Sequence, residues 1–296
     1  MSTSITTAFI TQYEKDVHLI FQREGGFLRP SVRMKTGVVG STAVFQKIAA
    51  GAATTKARHG TITPMNQTHT APSATLVDFY AGDWVDKLDE AKINIDERMA
   101  IAKSGAWALG RKVDSQIITE LATTTESTIT VTVTSAALVR RGILEMVEAL
   151  DANDVPNDGQ RFGLVTPRLW SQIMTVKEFN AADYVTAQGL PLTQGAPRAQ
   201  KWKDWNGVMW KVHTGLPGLG TATATGYVYH KNSIAYAAGA HAGNAAATEG
   251  VSADITWHGD RAAHFVNHSM SGGAVLVDTI GVIEGTWNDT TAIATT

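Results

Sequence analysis

Residues 94–121, NIDERMAIAKSGAWALGRKVDSQIITEL, predict one long helix that would act as the spine of the molecule. Asn94 can cap its start, and the two acidic residues that follow suit the positive end of the helix dipole. Apolar or small side chains recur every three or four positions and form one stripe: Ile95, Met99, Ala102, Ala106, Leu109, Val113, Ile117 and Leu121. The helix would be about 42 Å long. Gly105 and Gly110 weaken it by about 1 kcal/mol each relative to alanine, but they permit close approach of another backbone.

The charge of the chain changes sign just before this helix. Residues 78–97 are mainly acidic, whereas residues 25–77 contain no acidic residue. The basic residues of the earlier segment are Arg29, Arg33, Lys35, Lys47, Lys56 and Arg58. Because the formal net charge of the whole chain is only −2, the two signs are separated rather than unbalanced. A basic segment beside an acidic body favours head-to-tail attraction between copies.

The basic segment lies in a long connection, residues 28–76. Short strand-like pieces at 38–39, 43–48 and 60–65 are separated by Gly, Ser, Thr and Pro. So long a connection in a compact domain is unusual unless it has a function. Two interpretations remain open: a mobile surface loop, or an extended hairpin that reaches onto a neighbouring molecule. A short amphipathic helix over residues 8–24 is predicted before it.

The remainder of the chain mixes strands and helices without a regular βαβ rhythm, which predicts an α+β fold. Strands are predicted at 127–134 (STITVTVT), 161–165, 227–229, 254–257 and 274–283, with a hairpin over 201–213 around the turn Asn206-Gly207. Helices are predicted at 136–150, after Thr166-Pro167, and near 232–238. Residues after Trp287 are polar and predict a frayed end.

The composition excludes several classes of protein. The chain has no cysteine, so disulfide bonds, thiolate nucleophiles and cysteine metal sites are absent, which suits a reducing cytoplasm. No apolar run is long enough to span a membrane, and residues 1–10 lack the pattern of a secretory signal. Only 18% of residues are charged, and a surface poor in charge favours interfaces.

Each pattern that suggests chemistry has a simpler explanation. The glycines of residues 215–220 lack the following helix that a phosphate site needs. His264 and His268 have the spacing of a helical zinc pair, but their local sequence predicts a strand and a turn. Asp260 near His258 is more simply a surface polar pair, and no Gly-x-Ser-x-Gly elbow is present. We therefore predict no catalytic residue, no cofactor and no metal site, and a protein that is not an enzyme.

The residues alone also suggest two binding functions. The basic stretch 25–77 is an alternative candidate for binding nucleic acid, but six cations over some fifty positions are sparse for phosphate contacts. The eight tryptophans and the Gly-rich loops also suggest a carbohydrate-binding or tail-fibre-like module. The long predicted helix argues against an all-β module of that type.

Two local sequences add a family resemblance. ARHGTITPMNQTHT (57–70) and SATLVDFYAGDWVDKLDEAKINIDERMAIAKSGAWALGRKVDSQIITEL (73–121) closely resemble one branch of the major capsid proteins of tailed bacteriophages, which share their fold with herpesvirus capsids. This resemblance covers about residues 9–122. The rest of the chain is similar in the order of its elements.

The resemblance implies a division of the chain. It implies an N-arm (1–27), an extended E-loop hairpin (28–76), a peripheral domain (77–138 and 255–287) that contains the spine helix, an axial domain (139–254) and a C-terminal tail (288–296). It also implies a virion protein that assembles in the bacterial host cytoplasm into hexamers and pentamers of an icosahedral shell around double-stranded DNA. Portal, separate scaffolding and decoration proteins are further implied partners. No covalent crosslink pair and no fused scaffolding domain are predicted.

The resemblance also indicates between which two surfaces the separated charges would meet. A basic loop laid over the acidic region of the next copy would set the register between subunits. The hypothesis pairs two sets of side chains across this contact: Arg29, Arg33, Lys35, Lys47, Lys56 and Arg58 on the loop, and Asp83, Asp86, Asp89 and Glu90 on the neighbour.

Overall fold

A computed structural model describes residues 23–88, 97–177, 202–240 and 251–293, and these form an α+β fold as predicted. The helices are α1 (Glu97–Leu121), α2 (Ala136–Ala152) and α3 (Pro167–Ile173). The strands are β1 (Arg33–Val38), β2 (Thr42–Val44), β3 (Lys47–Ile48), β4 (His69–Thr70), β5 (Ser73–Thr75), β6 (Val77–Asp86), β7 (Ile129–Thr130), β8 (Arg161–Val165), β9 (Lys203–Trp205), β10 (Val208–Val212), β11 (Ala224–His230), β12 (Ile234–Gly239), β13 (Val251–His258), β14 (Ala263–Leu276) and β15 (Val282–Trp287). Short 3₁₀ turns lie at Arg29–Ser31, Lys231–Ser233 and Thr279–Gly281.

The first sheet is built around β14, a strand of 14 residues. Gly272 of β14 is paired with both Ala238 of β12 and Val77 of β6, so these two strands lie on opposite edges of β14. β13 pairs with β14 from Ala263 to Met270, beyond the part that β12 occupies. β1 adds to the outer edge of β12 in parallel and completes a five-stranded sheet.

The second sheet has six strands in the order β7-β15-β11-β8-β10-β9. Its central strand β8 is buried at all five positions, which confirms the buried strand predicted at 161–165. One face packs against α2 and α3 through a core that includes Ile143, Leu150, Trp210 and Trp287. The other face contributes Phe162, Leu164, Tyr227 and Tyr229 to a second core, which α1 shares with both sheets.

The predicted stripe of α1 is correct in the C-terminal half of the helix. Leu109, Val113, Ile117 and Leu121 are buried, and the helix ends at Leu121 as predicted. Met99 was wrongly assigned, because its side chain is 71% exposed. Ala106 is exposed as well. Met99 lies five full turns before the buried Ile117 and therefore on the same face of the helix, so a position on the stripe does not by itself decide burial. The predicted start at residue 94 lies outside the described residues, as does most of the predicted helix 8–24.

Both helix glycines lie at close contacts. The Gly26 N–H donates to the Gly110 carbonyl at 2.9 Å, and a Cβ at Gly110 would lie 2.7 Å from the Gly25 carbonyl carbon. At Gly105 the neighbour is a side chain, because a Cβ there would lie 2.7 Å from Nδ1 of His268. The predicted backbone approach is therefore confirmed at Gly110.

The local signals of the middle region are also confirmed. Ser135 caps α2 by accepting from the Leu138 N–H, and Thr166 caps α3 by accepting from the Leu169 N–H. Asn206 and Gly207 both have positive φ and form the tight turn between β9 and β10.

Residues 232–238 do not form the predicted helix. Lys231–Ser233 is a 3₁₀ turn, and the following residues form β12, which is buried at all six positions. Alanines favour a helix locally. Here they lie between β1 and β14, where their small side chains let residues 43–45 and 74 pack on the sheet. Tertiary pairing therefore overrides helix propensity.

Two strand predictions had wrong bounds. The predicted strand 274–283 contains the end of β14, a turn and the start of β15, because Val277 and Asp278 both donate their N–H to the Ser233 carbonyl. Residues 264–273 continue one strand instead of turning. In 127–134 only Ile129–Thr130 forms a ladder, although Val131 and Val133 are buried on the predicted face.

The end of the described chain is not frayed, which corrects the prediction for residues after Trp287. The Asp289 carboxylate accepts from Oγ1 of Thr166 (2.8 Å), Nε1 of Trp287 (2.9 Å) and the Gly220 N–H (3.1 Å). The carbonyl of Thr291 accepts from the Arg168 guanidinium. Hydrogen bonds of polar side chains hold this end in place, so its polar composition does not indicate disorder.

The strand order of the two sheets can be compared with the predicted division of the chain into domains. That division remains a prediction. β12 belongs to the first sheet although it lies inside the predicted axial segment 139–254. β15 belongs to the second sheet although it lies inside the late segment 255–287 assigned to the peripheral domain. The chain therefore crosses between the two sheets more often than a single insertion would require.

Replacing the buried Asp289 by alanine would leave three donors with fewer partners. We expect Asp289→Ala to lower the free energy of unfolding by about 2–3 kcal/mol. Urea denaturation followed by tryptophan fluorescence measures this change. Thr290→Ala is the control, because Thr290 is exposed and bonds only to the neighbouring Asn288 side chain. An unchanged midpoint for Asp289→Ala would show that the carboxylate does not hold the segment.

Candidate functional site

The long basic connection forms an antiparallel hairpin that projects from the first sheet. β2 pairs with β5 and β3 pairs with β4, so the two legs run side by side from Ser41 and Leu76 outward to Ala49 and Thr68. Residues 50–67 form the tip, in which every residue is exposed. The predicted piece 60–65 lies in this tip and is not a strand.

The base of the hairpin is fixed by packing. Phe45 and Ala74 are buried against Ala235 and Ala237 of β12. Outside this small core, Lys47 forms an ion pair with Asp278 at 2.8 Å. The hairpin is therefore a tethered arm whose base belongs to the subunit core and whose tip is exposed.

The six predicted basic residues occupy three different environments. Arg29 is half-buried near Tyr236; burial raises the pKa of this tyrosine to about 12, and the Arg29 charge opposes the rise. Arg33 and Lys35 are exposed at the base, each with its charge 5.8 Å from the centre of the Phe45 ring. These three residues and Lys47 therefore lie against other parts of the same chain.

Lys56 and Arg58 are the two predicted basic residues that lie at the tip. Both are exposed, and neither forms an ion pair with the described residues. The tip also exposes apolar side chains: Ile62 is 77% exposed and Met65 is 56% exposed. A tip that combines cations with exposed apolar side chains suits contact with another surface.

The predicted acidic residues lie at the far end of the first sheet, so far as the structure describes them. Asp83 and Asp86 are exposed near the end of β6, where their carboxylates accept from the N–H groups of Trp84 and Leu88. Asp89 and Glu90 lie outside the described residues. The structure thus places two of the predicted acids at the same end of β6, on opposite faces of the strand.

Sequence reasoning missed a cluster of three ring side chains and one arginine beside these acids, which we name the distal patch: Trp84, His258, Arg261 and Phe265. Trp257 lies on the opposite face of the same sheet end, in contact with His264. The rings of Trp84 and Phe265 are 4.6 Å apart, and the Arg261 guanidinium lies 4.6 Å from the centre of the Trp84 ring. Trp84 and Trp257 remain 37% and 47% exposed. The alternation of apolar residues in 77–86 was the available signal, but the acidic composition of the segment obscured it.

Asp114, in the middle of α1, fixes the chain that leads into the hairpin. Its carboxylate is fully buried and accepts from the N–H groups of Gly26 (3.2 Å) and Leu28 (3.1 Å). His213 lies beside it, with Nε2 3.6 Å from the carboxylate. One side chain therefore joins the entrance of the hairpin, the spine helix and the loop after β10.

Two cations near Asp114 are partly removed from water. The Lys211 ammonium lies 4.3 Å from the Phe27 ring and 5.2 Å from the Trp202 ring. Burial lowers the pKa of Lys211, and the charge of Asp114 opposes this change. Burial likewise lowers the pKa of Arg23, with the same opposition from Asp114. The cluster is a structural joint between segments, with its positive charges held around one carboxylate.

The other motifs form no reactive site in the described part of the chain. Gly218 and Gly220 belong to a turn that holds Asp289. His264 stacks on Trp257, whereas His268 is buried against α1 at Gly105. No group of three possible metal ligands occurs among the described residues. Within the same residues, no helix combines the length and the apolar character needed to cross a bilayer.

Comparison with known proteins extends over nearly the whole chain. The family model described as phage capsid protein matches residues 5–289. The fold is similar to that of a solved chain from Mycobacterium phage Che8, with 16% identity, a TM-score of 0.68, and 96% of this chain and 98% of that chain covered. It is also similar to a chain of the capsid of cyanophage P-SCSP1u, with 14% identity, a TM-score of 0.72, and coverage of 97% and 95%. No curated protein matches the chain.

Removing the Asp114 carboxylate tests the joint. We expect Asp114→Ala to lower the free energy of unfolding by about 3–5 kcal/mol, because two buried N–H groups lose their acceptor and nearby cations lose their counter-charge. Chemical denaturation measures the change, and faster hydrogen exchange of the Leu28 amide locates it. The matched control is Ser115→Ala, an exposed neighbour in the same helix turn. Equal stability of both variants would contradict the assigned role.

Proposed function

The chain belongs to the phage capsid protein family, and from this membership we propose that it assembles into hexamers and pentamers of an icosahedral head shell that encloses double-stranded DNA. Its role is that of a structural protein of the virion. The observation that supports assembly best is the projecting hairpin, because its base is built into the subunit and its tip has apolar side chains exposed to solvent. We infer a structural and not a catalytic function.

The hairpin, as the proposed E-loop, would lie on the next subunit. Lys56 and Arg58 at the tip suit the acidic end of the neighbour's β6, where Asp83 and Asp86 are exposed. Arg29 and Lys47 suit this role less well, since the first is half-buried and the second is paired with Asp278. The proposed contact therefore involves fewer basic residues than the contact inferred from charge alone.

Apolar burial would contribute more to this contact than charge. An exposed ion pair yields about 0–1 kcal/mol. Fully burying a side chain such as Ile62 yields about 1.5–3 kcal/mol. The charges would then set the register between neighbours, while apolar residues of the tip supply most of the affinity.

The proposed shell has further partners. Portal, separate scaffolding and decoration proteins would contact it, and the packaged DNA would meet its inner surface without sequence preference. Assembly would take place in the cytoplasm of the bacterial host. The division into N-arm, E-loop, peripheral domain and axial domain belongs to the same proposal.

The alternative function, a dedicated nucleic-acid-binding protein, gains no support. Its argument rested on six cations along residues 25–77. Four of these lie near their own subunit's core, and Lys47 is already neutralised by Asp278. A binding groove needs several cations on one surface. Negative-stain electron microscopy of the purified protein separates the functions, because shells are large closed particles and a DNA reader is a small species.

Charge reversal tests the proposed loop contact. We expect Lys47→Glu, Lys56→Glu and Arg58→Glu together to block assembly while the subunit stays folded, because the loop would then repel the acidic end of its neighbour. Electron microscopy and sedimentation report assembly, and circular dichroism reports folding.

Two partial variants identify which charges matter. Lys56→Glu with Arg58→Glu should block assembly nearly as well as the triple change, since both lie at the tip. Lys47→Glu alone should instead lower subunit stability by about 0.5–1 kcal/mol through loss of the Asp278 pair. Normal shells from the triple variant would rule out the charge contact.

A further inference from the structure

The six-stranded sheet ends in β7, and the outer edge of this strand carries no partner among the described residues. Ile129 and Thr130 pair in parallel with Gly285 and Thr286 of β15, and the Val131 N–H donates to the Thr286 carbonyl at 2.7 Å. Successive residues of a strand direct their backbone groups to opposite sides. The N–H and C=O groups of Thr130 and Thr132 therefore point away from the sheet.

A groove runs along this free edge with α2 as its floor. Its lining residues are Thr130, Thr132, Leu138, Arg141, Gly142 and Glu145. Gly142 allows the helix to lie close, because a Cβ there would be 2.9 Å from Cγ1 of Val131. Leu138 is 37% exposed, and Arg141 pairs with Glu145 at 2.7 Å. A strand added beside β7 would cover this part of the helix.

The opposite end of the same sheet is β9, and its direction suits that position. β9 is antiparallel to β10, β10 is parallel to β8, β8 and β15 are each antiparallel to β11, and β15 is parallel to β7. β9 therefore runs opposite to β7. A second copy placed alongside in the same orientation would bring its β9 antiparallel to β7, the more stable kind of ladder.

The side chains of the two edges are complementary in charge. In the two-residue hairpin, Lys203 and Trp205 turn their backbone groups toward β10, so those of Asp204 point outward. The strand presents one cation, Lys203, and one anion, Asp204. Consecutive residues of a strand point to opposite faces, and Lys203, which pairs with Trp210, lies on the face that α2 covers. Lys203 can therefore pair with Glu145 of the groove floor.

We propose that β9 of one copy adds to the free edge of β7 on the next copy, so that the six-stranded sheet continues from subunit to subunit. The contact joins two different surfaces, and such a head-to-tail contact forms a ring when its rotation closes. It rests on the proposed self-assembly and adds a second contact to that of the hairpin. Backbone hydrogen bonds fix its direction, and the Arg141 and Glu145 charges select its register.

Engineered cysteines test the pairing directly, because the natural chain has none. Within one subunit the two edges are separated by five strand spacings, about 24 Å, so a disulfide between them can form only between copies. Oxidised assemblies of Thr132→Cys/Asp204→Cys, or of Thr130→Cys/Asp204→Cys, should give a ladder of covalent multimers on a non-reducing gel. Each single-cysteine variant should give dimers at most.

A proline substitution tests the edge without cysteines. Thr132→Pro removes an outward N–H that forms no hydrogen bond with the described residues, so the melting temperature of the subunit should stay within about 2 °C while assembly is lost. Val131→Pro is the matched control, because it removes the N–H that bonds Thr286 and should lower the melting temperature of the subunit itself.

The outcomes separate this inference from the proposed function. Particles from the unmodified chain, together with a ladder and loss of assembly in Thr132→Pro, support both. Particles that form from every variant without a ladder overturn the edge pairing and leave the shell function standing. An unmodified chain that stays monomeric under all assembly conditions overturns both.

Discussion

The structure depends on the need of one long strand, β14, to satisfy its backbone hydrogen bonds on both edges over fourteen residues. Segments far apart in the sequence meet this need: residues 77–86 on one edge, and residues 234–239 followed by 251–258 on the other. The spine helix covers this strand, with Gly105 allowing His268 to pack beneath it. The hairpin and the distal patch are fixed in position because both extend from strands of this ladder.

Two buried carboxylates hold segments of the chain that belong to no strand. Asp114 holds the chain that enters the hairpin, and Asp289 holds the segment that follows the last strand. Each accepts from the backbone of a segment far away in the sequence: Asp114 from Gly26 and Leu28, and Asp289 from Gly220. Asp114 thus fixes the base of the projecting hairpin. Asp289 fixes the segment that follows the last strand of the second sheet.

Local chemistry predicted much of the fold. The caps at Ser135 and Thr166, the Asn206-Gly207 turn and the C-terminal half of the spine helix were readable because each depends on residues close in sequence. β12 was not readable, because its alanines favour a helix until two neighbouring strands enclose them. The charge reversal near residue 78 marked where the basic connection meets the acidic segment, and an extended hairpin was one of two open interpretations of that connection. Neither the Lys47–Asp278 pair nor the distal patch was predictable, because both arise only from tertiary contacts.

The place of β15 in the second sheet has a consequence for synthesis on the ribosome. This strand lies between β7 and β11, yet it follows both in the sequence by more than fifty residues. Until residues 282–287 leave the exit tunnel, the nascent chain has a gap inside the sheet, with β7 detached from its only ladder in the described chain. Non-local pairing of this kind slows folding. The six-stranded sheet can therefore be completed only after residues 282–287 have been synthesised.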